Sequence, residues 1–214
     1  MRRIEFKSGE IWLEGIVSEP KGDAPFAGAV VAPPHPLFGG SMDNNVVYAL
    51  RDAMTDSGCL TLCFNFRGVG KSRGSYGEAV GEAQDIISAL EFIRTDPQAD
   101  PRRAIVCGYS FGGLAALYAM AKGLSPTALI LVSPMLPERG LEKDETLRRI
   151  IPLQVPMLIV SGGRDQFYRH QLYQPLFPAE SKNSKLALVK SADHFWLGDE
   201  REMIRAVQEF LQTI

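Results

Sequence analysis

The sequence predicts an α/β domain: a mostly parallel, twisted sheet of about eight strands with helices on both faces. Three observations predict it. Short apolar runs recur along the chain and alternate with longer stretches rich in helix formers, the pattern of a parallel sheet covered on both sides. At 214 residues, 45% of them hydrophobic, the chain is long enough to build a core without disulfides or metal. No repeat or low-complexity linker divides it, so residues 1–214 read as a single domain.

Taken in order, two N-terminal strands are expected near 3–7 and 11–18, as an antiparallel hairpin at the sheet edge. Ala27-Gly28-Ala29-Val30-Val31-Ala32 gives a strand near 27–33, followed by a Pro/Gly loop and a helix near 43–57. Cys59-Leu60-Thr61-Leu62-Cys63-Phe64 gives a strand near 59–65, and a helix follows near 79–95. Arg103 to Cys107 reads as a buried strand, 103–108. The next helix, near 111–123, closes at Gly123, a natural C-cap. Strands near 127–133, 156–161 and 184–190 and a last amphipathic helix near 199–213 complete the pattern. Between the sixth and seventh strands only Pro134 to Val155 is available. Its charged stretch, Glu138 to Arg149, suits one short helix, so a large cap domain is excluded.

The strand and helix around residue 110 are joined by Gly108-Tyr109-Ser110-Phe111-Gly112-Gly113. G-x-S-x-G carries meaning in this strand-to-helix context, because the turn is too tight for side chains two residues either side of the serine. Ser110 would project its hydroxyl at the top of the sheet. A lone serine needs a base, and of three histidines His194 alone lies on a loop past the last strand. His170, in a polar, aromatic-rich segment, suits a helix cap or helix surface. The base needs an acid to hold its tautomer. Asp165 follows the apolar run Met157-Leu158-Ile159-Val160 at a strand's C-terminal end, where functional groups collect in open α/β sheets. Asp193 competes by adjacency, but neighbouring side chains rarely turn into each other.

With Pro34-His35-Pro36-Leu37-Phe38-Gly39-Gly40-Ser41-Met42-Asp43-Asn44 and Asn65-Phe66-Arg67-Gly68-Val69-Gly70-Lys71-Ser72, this motif resembles the α/β-hydrolase fold end to end. More narrowly the chain is similar to small bacterial hydrolases without a cap, of the esterase and dienelactone hydrolase-like group, although dienelactone hydrolase carries Cys where this chain has Ser110. The order Ser110, Asp165, His194 is the order the resemblance implies. It also implies an oxyanion hole made by the N–H of Phe111 and one from the loop after the third strand. Pro36 has no N–H, which leaves Leu37, or Phe38, as the loop donor. His35 then fixes the loop through its ring. Phe38, Met135, Leu136, Phe167 and Trp196 are candidates either for the acyl or alcohol side of a pocket or for the core.

Several classes are excluded. The formal charge of −2 with no basic stripe argues against nucleic acid. Charges in Met1-Arg2-Arg3-Ile4-Glu5-Phe6-Lys7 interrupt any signal h-region, and no apolar run reaches spanning length. Gly70-Lys71-Ser72 is no phosphate loop, since Asn65 stands where that motif needs glycine, and Arg73 occupies the third glycine position of a dinucleotide motif. Cys59 and Cys63, four apart in a strand, would lie roughly 13 Å apart, too far to bridge. With Cys107 they suit a reducing cytoplasm. The expectation is therefore a cytoplasmic serine carboxylesterase for small or medium acyl esters, with no cofactor and no metal. Thioesterase, peptidase or acyltransferase chemistry on the same residues stays open, as does a homodimer. A non-catalytic ligand- or partner-binding protein of this fold would have no need of all three residues.

Overall fold

The computed structural model describes residues 1–137, 143–149, 155–176 and 184–214. The sheet has eight strands in the order β1-β2-β4-β3-β5-β6-β7-β8. β1 (Arg2–Ser8) and β2 (Ile11–Ser18) form the antiparallel hairpin at one edge, and β2 pairs antiparallel with β4 (Cys59–Phe64). β3 (Phe26–Ala32), β5 (Ala99–Tyr109), β6 (Ala128–Val132), β7 (Met157–Gly162) and β8 (Ser184–Val189) run parallel to β4.

Each face buries its own core, because alternate strand residues point to opposite sides. Val30 and Val106 face α2 (Val80–Arg94) and α3 (Phe111–Ala121), with Ile86, Leu90 and Leu114 supplied by those helices. Val31 and Cys107 face α1 (Asn45–Asp56) and α4 (Glu200–Leu211), which supply Leu50, Met54, Met203 and Phe210. The three cysteines are free and buried. Burial pushes the Cys59 thiol up to about 11 and Cys63 to about 12, so neither is a ready nucleophile.

The expected elements are present with shifted ends. β5 starts at Ala99, ahead of the expected 103, because Ala99 and Asp100 pair with Phe26 and Ala27 before a register shift at Ala27/Gly28. Its polar start, Asp100 to Arg103, hid this from the hydrophobic pattern. α1 starts at Asn45, where Asn44 caps it by accepting the Val46 N–H at 2.9 Å. Among the described residues between β6 and β7 there is no cap domain. Of the short helix expected over Glu138 to Arg149, positions 138–142 lie outside the described residues, and the described remainder holds a 3-10 turn, Leu147–Arg149. A longer 3-10 turn, His170–Leu176, begins at His170.

Candidate active site

β5 runs directly into α3 through Ser110, whose φ of 51° and ψ of −117° lie outside the ordinary range for an L-residue. The flanking glycines make this turn possible. A Cβ at Gly108 would sit 2.6 Å from the Gly112 carbonyl oxygen, and one at Gly112 would sit 2.4 Å from that of Ala32. The turn is pinned to the neighbouring strand. Ser110 donates its N–H to the Val132 carbonyl at 3.0 Å, and its own carbonyl accepts the Met135 N–H at 2.8 Å.

His194 reaches Ser110 from the loop between β8 and α4. Its Nε2 lies 3.0 Å from Ser110 Oγ, and its Nδ1 lies 2.9 Å from Asp165 Oδ2. The carboxylate accepts at Nδ1, so the proton belongs there and Nε2 accepts from the serine hydroxyl. All three residues are buried. Asp165 Oδ1 accepts the N–H groups of Phe167 and Tyr168, each at 2.9 Å, in the turn after β7. Burial pulls the Asp165 carboxyl upward, but the bonds from His194 and these two amides outweigh it and hold it below the usual carboxylate value. The competing Asp193 points elsewhere. Its Oδ1 accepts the N–H groups of Phe195 at 2.8 Å and Trp196 at 3.1 Å, which shapes the histidine loop.

Tyr109 was missed by the sequence reading, although it adjoins the serine. Its buried hydroxyl donates to the His194 carbonyl at 2.9 Å, tying the histidine loop to the strand that carries Ser110. Tyr109→Phe is expected to lower kcat several-fold with KM little changed, since removing one bond of about 1 kcal/mol loosens the Ser110–His194 distance. Steady-state kinetics on one ester, with a thermal melt as control, measures it; equal kcat would mean that the loop holds without it.

The loop after β3 differs from expectation. Pro36–Phe38 forms a 3-10 turn capped by His35. The Leu37 N–H donates to His35 Nδ1 at 3.2 Å and the Phe38 N–H to the His35 carbonyl at 3.1 Å. Neither loop donor expected for the oxyanion hole is free, because the loop uses the N–H groups of Leu37 and Phe38 to close its own turn. Among the described residues the backbone N–H of His35 has no partner, and neither does that of Phe111, the first residue of α3. The His35 ring sits 4.5 Å from that of Phe111 and its Nε2 3.4 Å from the Tyr76 hydroxyl. Burial lowers its pKa, so the ring stays neutral and fixes the loop.

A cavity of about 350 Å³ opens beside Ser110 and His194, with Phe38, Met135 and Phe167 on its wall. Leu136 and Trp196 lie in the two apolar cores instead. Trp196, with φ of 63°, turns inward and donates its indole N–H to Ser133 Oγ at 3.2 Å. Tyr168, Phe195 and Asn44 line the cavity and were not foreseen, although Phe195 adjoins the histidine. Among the described residues no group of three or more His, Cys, Asp or Glu is placed to hold a metal, and no helix is long and apolar enough to cross a membrane.

Comparison with known proteins agrees with this fold. The model of the Alpha/beta hydrolase family matches residues 33–212. An uncharacterised protein of Rickettsia prowazekii is 29% identical over all of this chain and 90% of its own length. An alpha-beta serine hydrolase homologue from Coxiella burnetii superposes with a TM-score of 0.83 at 28% identity, over 97% of this chain and 96% of that one. A serine hydrolase without a lid from Xanthomonas campestris superposes with a TM-score of 0.81 at 25% identity, over 99% and 94%.

Proposed function

We propose that this chain, which belongs to the alpha/beta hydrolase family, is a serine hydrolase that cleaves carboxylic esters of small or medium acyl groups. The observation that carries the reading is the unbroken hydrogen-bonded chain Ser110–His194–Asp165 at the wall of a cavity. Ser110 Oγ attacks the ester carbonyl while His194 Nε2 takes its proton. Asp165 holds the proton on Nδ1 and stabilises the imidazolium that forms. Negative charge developing on the carbonyl oxygen is met by the N–H of Phe111, at the start of α3, and by that of His35 in place of Leu37. His194 returns the proton to the departing alkoxide, and a water deprotonated by the same ring releases the acid from the acyl-enzyme.

No step requires a cofactor or metal. A small-molecule ester, rather than nucleic acid or a membrane, is the partner that suits a near-neutral chain with a modest cavity beside Ser110. The reduced, buried thiols suit the cytoplasm. The test is a panel of dissolved butanoyl oxygen esters, thioesters and aminoacyl amides. Oxygen esters are expected to turn over fastest, with hyperbolic saturation below the solubility limit and no response to chelator. Activity that appears only when substrate forms an emulsion would show a mobile lid, and loss with chelator restored by a divalent ion would replace the serine mechanism with a metal one. Preference for thioester or amide would move the reading to those leaving groups.

A further inference from the structure

The walls of the cavity differ in chemistry from its catalytic floor. The sheet order puts β3 on one side of β5 and β7 and β8 on the other, so loops from both sides flank Ser110. The β3 loop brings Phe38, its ring 4.6 Å from that of His35 and 85% exposed. The opposite loops bring Phe167, 56% exposed, and Phe195, 49% exposed. Phe167 stands edge-on to His194 at 4.9 Å and to Phe195 at 6.1 Å, so these rings form a cluster around the base. Large apolar rings left this open on both sides of a reactive group mark a surface that a ligand covers. Among the described residues that line the cavity there is no Lys, Arg, Asp or Glu. An ionised substrate group would therefore leave water without meeting a counter-charge.

Resting on the esterase reading, we infer that the substrate is a small, uncharged ester bearing an aromatic ring near the scissile bond, held between Phe38 on one side and Phe167 and Phe195 on the other. The volume of about 350 Å³ is near the lower end for ligand pockets and admits one ring, the ester and a short chain. Flat rings gain edge-on and offset contacts with this cluster that a saturated ring of similar size does not.

The experiment compares matched pairs with the wild-type enzyme. Methyl 3-phenylpropanoate against methyl 3-cyclohexylpropanoate reads a ring on the acyl side, and benzyl acetate against cyclohexylmethyl acetate reads one on the alcohol side. Within each pair intrinsic reactivity is close. At least a fivefold advantage in kcat/KM for the aromatic member is expected in one pair, together with at least a tenfold loss from methyl pentanoate to monomethyl pentanedioate. Phe167→Leu and Phe38→Leu should bring the aromatic-to-saturated ratio to within twofold of one. Equal rates in both pairs, or no loss with the charged ester, would overturn the inference while turnover of methyl butanoate keeps the esterase reading intact. Binding separates the two further. The Ser110→Ala protein should hold 3-phenylpropanamide at least fivefold more tightly than 3-cyclohexylpropanamide by calorimetry, and equal affinities would overturn the inference whatever the reaction proves to be.

Discussion

Replacing Ser110 by alanine is expected to abolish hydrolysis, with kcat falling about 10⁶-fold, the cost of losing the nucleophile in an assembled triad. The residual rate would come from the oxyanion donors and from binding alone. The backbone of the turn is set by Gly108, Gly112 and the bonds from Ser110 to Val132 and Met135, none of which involves the hydroxyl. The variant should therefore fold and melt close to wild type. A fluorophosphonate should add once to the wild-type chain, at Ser110, and not at all to the variant, as intact-mass spectrometry would read. Labelling that persists on another serine would move the nucleophile elsewhere.

Asp165→Asn is expected to cost about 10⁴ in kcat. The amide presents N–H groups where His194 Nδ1 has its proton, so it favours the wrong tautomer, or turns its oxygen inward and leaves Phe167 and Tyr168 without their acceptor. Asp193→Asn should cost less than tenfold, because an amide oxygen still accepts the Phe195 and Trp196 N–H groups. The reverse ranking would make Asp193 the acid. Because the fold holds the Asp165 carboxyl below its ordinary value, its charged form is favoured by folding. Its contribution to stability is present above the unfolded carboxylate range, near pH 4, and is lost as pH falls through the lower folded value. Asp165 is therefore expected to stay ionised on mild acidification, so a fall of kcat/KM above about pH 4 would not come from its protonation.

The parts of this site that could be read from sequence are those fixed by backbone sterics and chain order. Gly108 and Gly112 announce the turn because no side chain fits there, and strand ends locate Asp165 and His194 without any knowledge of packing. The β1–β2 hairpin and the helices fell within a few residues of their observed bounds, since apolar periodicity carries them. The oxyanion loop could not be read the same way. Whether Leu37 keeps a free N–H depends on the His35 ring accepting it, a contact set by the Phe111 and Tyr76 rings beneath. Trp196 and Phe195 are adjacent large aromatics, and the Asp193 turn sends one into the core and the other to the cavity. Nothing in composition distinguishes them.

The burial of Trp196 two residues beyond His194 gives the site an optical label of its own. The chain has two tryptophans, and the other, Trp12, is half exposed on β2 beneath the Lys7 ammonium. In a Trp12→Phe protein all indole emission would come from a ring enclosed by the core and bonded to Ser133. Its blue emission should shift red when the histidine loop leaves its seat, at whatever denaturant concentration that occurs. If the loop detaches before the sheet unfolds, emission and hydrolysis will change together while far-ultraviolet circular dichroism stays native.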